Sequence, residues 1–416
     1  MQVQNSKVYG YRWVVLLSFM AITAVNQFLW ITFAPITERA AQFYGVSDLS
    51  IGLLSLSFMV VYIIVSIPAS WIIDNYGFRW AVGLGAVLTG VFGLTRGLLA
   101  DSYTWVLVSQ IGIAIGQPLV LNAVTTVAAR WFPIEERATA SGFGSLAMYL
   151  GIFAGLVVTP YLVIQSSIPG ALMVDGLIAV VAAAIFLVFS REHPPTPADA
   201  VHQEARALMW DGLRQTVRNR QFLVLLGIFF VGLGIFNAVT TWIEEILSPR
   251  GFSSTQAGFT GGLMIVGGIL GALVLPTLSD RMRRRVPFIL LALVGSSITL
   301  LGITYAGSYD WLLAASFGMG FFLLSAGPIG FQYGAEITFP VPEGTSNGLL
   351  LMMGQISGIL FIVAMDALKA PDTGSMTYPL VGLVALMVLG VVLAFRLHES
   401  ALLSEAESAG EPAPAP

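Results

Sequence analysis

The chain has 416 residues, of which 56% are hydrophobic and only 10% charged, against about 25% charged in a soluble domain. Apolar runs of about 20 residues, each able to cross a ~30 Å hydrocarbon core, recur along nearly the whole length, so the chain reads as an all-α polytopic membrane protein. The formal net charge of −4 carries little information, and the absence of cysteine excludes disulfides, thiolate metal sites and a Cys nucleophile.

The first apolar run, from Trp13 to about Pro35, is too long for a signal peptide and has no small-residue cleavage site, so it reads as a retained helix over 12–38. Asn26 and Trp30 lie four apart on one face of it. Helix 2 (51–73) leads through "SWIIDNYGFRW", with Asp74 and Arg79, into helix 3 (80–99), which carries Arg96. Helix 4 (104–130) holds Gln117, helix 5 (138–164) holds Ser141, Ser145 and Tyr149 at helical spacing, and helix 6 (170–190) holds Asp175. The linker over 191–220 starts Pro-rich, becomes charged with apolar residues at helical spacing, and predicts a short amphipathic helix on the membrane face.

Helix 7 (221–246) places Asn237, Thr241 and Glu244 in one stripe, with Glu245 following. Helix 8 (256–279) runs into "PTLSDRMRRR", with Asp280, Arg281 and Arg285, before helix 9 (287–306). Helix 10 (311–338) carries Gln332 and Glu336, helix 11 (344–366) carries Gln355, and helix 12 (377–396) precedes an acidic, Ala- and Pro-rich tail that reads as disordered. Arg79, Arg137, Arg191, Arg206 and the run Arg283–Arg285 all fall on the side of the termini, which predicts both termini in the cytoplasm.

The halves repeat. "YGVSDLSIGLLS" aligns with "RGFSSTQAGFTG" at an offset of 206, pairing Gly45 with Gly251 and Gly52 with Gly258; Asp74 pairs with Asp280 at the same offset. "RWFPIEERATASG" aligns with "ITFPVPEGTSNGL" at an offset of 207, pairing Glu136 with Glu343. The repeat predicts two six-helix bundles, over 1–190 and 221–397, related by an axis along the membrane normal, with a central cavity between them and the tail over 398–416.

This pattern resembles the major facilitator superfamily over essentially the whole chain. Its loop signature G-x-x-x-D-[RK]-x-G-[RK] is matched at Asp74, Gly77 and Arg79, whereas Ser70 and Asn75 depart from it. "VNQFLWI" and "GFQYGAEITFPVPEGTSNGLLLMMGQISGILF" are similar, more narrowly, to the feline leukaemia virus subgroup C receptor family of choline, ethanolamine and haem-associated transporters. The resemblance implies that Trp30 stacks on a cation and that Gln355 belongs to the same site; Asn237, Tyr149 and Gln332 stand where that family has a tyrosine, a glutamine and a glutamate. It also implies an ion pair between Glu336 and the basic loop after helix 8, against the alternatives of proton or substrate coupling and of a solvated helix end.

The expected function is secondary-active or facilitative transport of a small organic solute, a cationic or neutral amine, by alternating access. The expected substrate contacts are Asn26, Trp30, Gln117, Tyr149, Asn237, Thr241, Gln332 and Gln355; Asp175, Glu244 and Glu245 are proton-coupling candidates; Asp74, Arg79, Arg137, Asp280, Arg281, Arg285 and Glu336 are expected to gate. Each polar residue taken singly could instead serve interhelical hydrogen bonding. The competing readings are a proton-coupled organic-anion or monocarboxylate carrier, for which Arg96 is the candidate fixed cation, and a non-transporting receptor. No enzyme is expected: His193, His202 and His398 all fall in the linker or tail, and no phosphate, metal or nucleophile motif occurs. No cofactor, metal or nucleic acid is expected; the expected partners are a small-molecule substrate, the lipid bilayer and protons as a candidate coupling ion. The expected state is a monomer in a bacterial inner membrane.

Overall fold

The structure is a computed structural model that describes residues 8–133, 136–196, 216, 218–338, 341 and 343–399, with the side chains at 74, 137–139 and 343–345 also outside the description. The expected amphipathic helix of the linker and the tail beyond residue 399 fall outside the described residues. Among those described, twelve helices are long and apolar enough to cross a membrane, as the hydropathy pattern predicts. We label them α1 (Tyr11–Ile31), α2 (Asp48–Tyr76), α3 (Phe78–Leu98), α4 (Tyr103–Leu121), α5 (Arg137–Gln165), α6 (Ile168–Phe189), α7 (Arg220–Thr241), α8 (Ser254–Met282), α9 (Val286–Tyr305), α10 (Tyr309–Thr338), α11 (Glu343–Ala367) and α12 (Thr377–Ala394).

The chain divides into two compact units, Met1–Glu204 with Thr241–Gly262, and Ala205–Thr240 with Leu263–Pro416. The segment Thr241–Gly262, which ends α7 and begins α8, thus groups with the N-terminal half.

In the N-terminal unit, small residues let helices approach. A Cβ on Gly93 of α3 would lie 2.9 Å from the Ala179 Cβ of α6, and one on Gly176 would lie 2.6 Å from the Gly93 carbonyl oxygen. These contacts are the small-residue packing by which membrane helices associate without a hydrophobic driving force. α5 seats Gly151 against the Ala24 carbonyl of α1 in the same manner. In the C-terminal unit, Gly267 and Gly271 of α8 meet the Phe317 and Phe321 carbonyls of α10.

Three helices break where sequence periodicity predicts continuity. α1 stops at Ile31, passes through a 3₁₀ turn at Ala34–Ile36 that contains Pro35, and resumes as a short helix over Thr37–Tyr44. α4 stops at Leu121, three residues after Pro118, and resumes over Val124–Trp131. α7 stops at Thr241, and a turn at Trp242 leads to a short helix over Ile243–Leu247. Proline removes a backbone donor, which accounts for the first two; the third has no proline at the turn.

Candidate functional site

The break in α1 organises the N-terminal unit's polar interior. The last carbonyls of a helix lack intrahelical donors and need partners when buried. The Leu29 carbonyl accepts from Arg96 Nη1 at 3.0 Å and Gln110 Nε2 at 3.2 Å; the Trp30 carbonyl accepts from Ser55 Oγ at 3.4 Å; the Phe28 carbonyl accepts from Thr32 Oγ1 at 3.0 Å. Arg96 needs a counter-ion at this depth and finds Asp175, 3.0 Å from Nη2, with both side chains fully buried. The Phe33 ring lies 5.7 Å from the guanidinium. Asp175 and Arg96 are therefore a structural pair that holds α3 and α6 to the broken end of α1. Neither is a free charge, so the expected fixed cation of an anion carrier is engaged.

The stripe of Asn26 and Trp30 is divided between neighbours. Asn26, fully buried, donates to Thr89 Oγ1 at 3.1 Å on α3 and accepts from Gln27. Trp30 turns to α2, where its indole N–H donates to the Ser55 carbonyl at 3.1 Å. Gln117 is buried and Tyr149 half-buried within the same unit. Asn122, at the α4 break, was not foreseen: its Nδ2 donates to Ser66 Oγ at 3.0 Å and Ser70 Oγ at 3.1 Å, and its Oδ1 accepts from Tyr62 at 2.9 Å.

The expected stripe of Asn237, Thr241 and Glu244 keeps Asn237 and Thr241 four apart on α7, whereas the turn at Trp242 takes Glu244 out of the helical period. In the C-terminal unit, Asn237 Nδ2 donates to the Gly354 carbonyl of α11 at 3.1 Å, next to half-buried Gln355. Thr241 and Glu244 belong to the N-terminal unit. There the Thr241 hydroxyl is buried without a hydrogen-bond partner, and Glu244 accepts from the Glu38 backbone N–H at 2.9 Å and Ser254 Oγ at 2.5 Å. Glu245 is buried beside it.

Of Arg281, in the last turn of α8, and Arg283, Arg284 and Arg285 after it, Glu336 takes Arg285. Its Oε1 receives Arg285 Nε at 3.2 Å, Arg285 Nη2 at 3.1 Å and Gln332 Nε2 at 3.0 Å. Arg285 also pairs with Asp280, whose side chain is largely exposed. Burial opposes the Arg285 charge, but Asp280 and Glu336 outweigh it and hold the guanidinium protonated. Arg281 is exposed. The side chains of Asp74 and Arg137 fall outside the described residues.

A matched pair of helix caps emerges at the same ends of the two repeats. Glu192 accepts from the backbone N–H groups of Phe78 at 3.3 Å and Arg79 at 2.7 Å, at the start of α3; the Arg79 side chain is exposed. Glu399 accepts from those of Arg285 at 3.0 Å and Val286 at 3.1 Å, at the start of α9. A carboxylate complements the unpaired donors and positive dipole of a helix N-terminus. Donors and acceptors correspond at the offset of 207 that aligns the second loop repeat, so this signal was present in the sequence.

The Major Facilitator Superfamily model matches residues 10–362. The chain is 31% identical over 443 aligned positions to Solute carrier family 49 member A3 of Danio rerio, covering 98% of this chain and 92% of that protein. It is 28% identical over 406 positions to Choline/ethanolamine transporter FLVCR1 of Felis catus, covering 92% and 72% respectively. Among solved structures, a bacterial homolog of the human lysosomal transporter Spinster, in an inward-facing and unoccupied conformation, superposes with a TM-score of 0.76 over 98% of this chain and 100% of that one, at 17% identity; this likeness concerns the fold alone.

Proposed function

We propose that this integral multi-pass membrane transporter, which belongs to the Major Facilitator Superfamily, carries a small organic solute of the cationic or neutral amine class by alternating access of its two halves. The observation that carries the amine reading is the engagement of Arg96: a carrier of organic anions needs a fixed cation at membrane depth, and this one is fully buried against Asp175. A relative covering 92% of the chain is named a choline/ethanolamine transporter, which makes these amines the first to test.

In this reading Trp30 supplies a π face, attractive to ammonium by about 0.5–2 kcal/mol. Its N–H bond to Ser55 fixes the ring, so little side-chain entropy is lost on binding. Tyr149, Gln117, Gln332, Gln355 and the free carbonyl face of Asn237 supply uncharged polar contacts, and the hydroxyl of Thr241, buried without a partner, adds an available donor. Asn26 is left out, since its amide serves the bundle. Glu336, Arg285 and Asp280 act as a gate that stabilises one closed state.

The test is a thermal-shift panel of choline, ethanolamine and other amines against monocarboxylates. A ligand at 100 times its Kd stabilises by about 2.7 kcal/mol. Amines should raise the melting temperature of the wild type and not of Trp30→Ala; stabilisation by monocarboxylates alone would reverse the assignment.

A further inference from the structure

The segment Thr241–Gly262 is flanked on both sides by chain of the C-terminal unit yet packs within the N-terminal one. Its contacts are close. Trp242 lies against Gly52 of α2, where an added Cβ would come within 2.7 Å of the indole. Gly258 sits on the Leu156 carbonyl of α5, and a Cβ on Gly262 would lie 2.5 Å from Val157. Gly52 and Gly258 are partners in the sequence repeat, so both copies use the same glycine for close approach. Amid these apolar contacts Glu244 is 2% exposed, and both of its hydrogen bonds, from the Glu38 N–H and the Ser254 hydroxyl, come from uncharged donors. Ser248 Oγ adds a bond to Glu38 Oε2 at 2.6 Å.

We propose that Glu244 is the proton-binding group of a latch: the segment Thr241–Gly262 docks on the N-terminal unit with Glu244 protonated, and its release returns the proton to the side of the membrane on which the α7–α8 connection lies. A protonated carboxyl keeps both contacts: its carbonyl oxygen accepts from the Glu38 N–H, and its hydroxyl oxygen accepts from Ser254 Oγ, more weakly than a carboxylate oxygen would. The elements packed on the segment carry Glu38 and Arg39 on Thr37–Tyr44 and Asp48 at the start of α2, and the segment itself carries Glu245 and Arg250; the α5 stretch Phe153–Pro160 brings no charge, and Glu245 and Glu38 are the charges that act on Glu244. Burial first, then the Glu245 and Glu38 charges, push the Glu244 carboxyl up to about 7, against the opposing effect of its hydrogen bonds.

The sign follows from linkage. A carboxyl protonated more readily when docked makes the docked state bind more protons. Docking is therefore strongest in acid and weakens as pH rises from the ordinary carboxylate range to about 7. The proton enters and leaves at one end of the transporter, so the latch senses pH on that side and does not move protons across. Its effect on transport rests on the alternating-access reading; the docking equilibrium does not.

Because the chain lacks cysteine, spin labels at Gln165→Cys, at the end of α5, and Thr255→Cys, at the start of α8, report docking by their distance in the full-length protein in nanodiscs. Between pH 4.5 and 8 the wild type should pass from one short distance to a mixture with a longer one. Glu244→Gln should keep the short distance throughout, Glu245→Gln should retain the step, and Ser254→Ala, which removes a bond that favours the ionised form, should move the step to higher pH. A wild-type distance constant with pH, or an unchanged step in both Glu244→Gln and Ser254→Ala, would overturn the latch. The distances are read without substrate, so a protein that moves no amine still reports it.

Discussion

Arg96 and Asp175 show what a charge inside the bilayer costs and what it does. Removing one partner leaves an uncompensated buried ion, worth about 3–5 kcal/mol. Asp175→Ala and Arg96→Ala should each lower the thermal unfolding midpoint strongly. Arg96→Met with Asp175→Leu should lose less than either alone, because no charge remains to be buried; the Leu29 carbonyl would keep only the Gln110 donor. A double variant as unstable as the worse single one would mean that the carbonyl bonds, not the ion pair, dominate. Hydropathy placed Asp175, Arg96 and Asn26 on their helices and periodicity gave Asn26 a face, but neither named their partners. A 3.6-residue period states which residues share a face, not which neighbouring helix that face meets. The division of Asn26 from Trp30 lies beyond its reach, because α3 and α2 contact adjoining parts of one stripe.

At the scale of the element, the helix starts and breaks decide more than the helix interiors. Gly77 precedes α3 at φ +88°, and a side chain there would also run into the Glu192 carboxylate. Its repeat counterpart at the 206 offset is Arg283, which takes φ +51° in the left-handed region despite its Cβ. A left-handed residue with a Cβ costs about 1–2 kcal/mol. Gly77→Ala should therefore destabilise by at least that much, while Arg283→Gly should be neutral or slightly stabilising, in chemical or thermal unfolding. Glu192→Gln and Glu399→Gln should each cost about 0.5–2 kcal/mol, as losses of N-terminal caps do. Equal stability of all four variants and the wild type would remove the cap account. The caps were legible, since both glutamates obey the repeat, although they lie just past the ends of α6 and α12, outside the apolar spans. The turn at Trp242 was not: "TTWIEEIL" carries neither proline nor glycine, and the break follows from the docking of Trp242 on Gly52, a tertiary cause.

For the whole molecule, hydropathy and the internal repeat were enough for the twelve helices, because a bilayer demands long apolar helices whatever the tertiary contacts. The assignment of Thr241–Gly262 to the N-terminal unit was not legible, since covalent order places it in the second half. The gate makes a prediction at this scale. Glu336→Arg should sharply slow transport while substrate affinity stays measurable, because Arg285 and Gln332 lose their shared acceptor; an unimpaired rate would dismiss the gate. The substrate site makes another. Trp30→Ala should lose about 2–3 kcal/mol of amine affinity and Trp30→Phe part of it, whereas affinity within twofold of wild type for Trp30→Ala would reduce Trp30 to a packing residue.

The most direct test of the amine reading is uptake into proteoliposomes that hold the purified wild-type protein, with radiolabelled choline, ethanolamine and a monocarboxylate supplied in parallel. The account predicts saturable entry of at least one amine, competed by the unlabelled compound and lost in Trp30→Ala. Entry of the monocarboxylate with neither amine transported would contradict it.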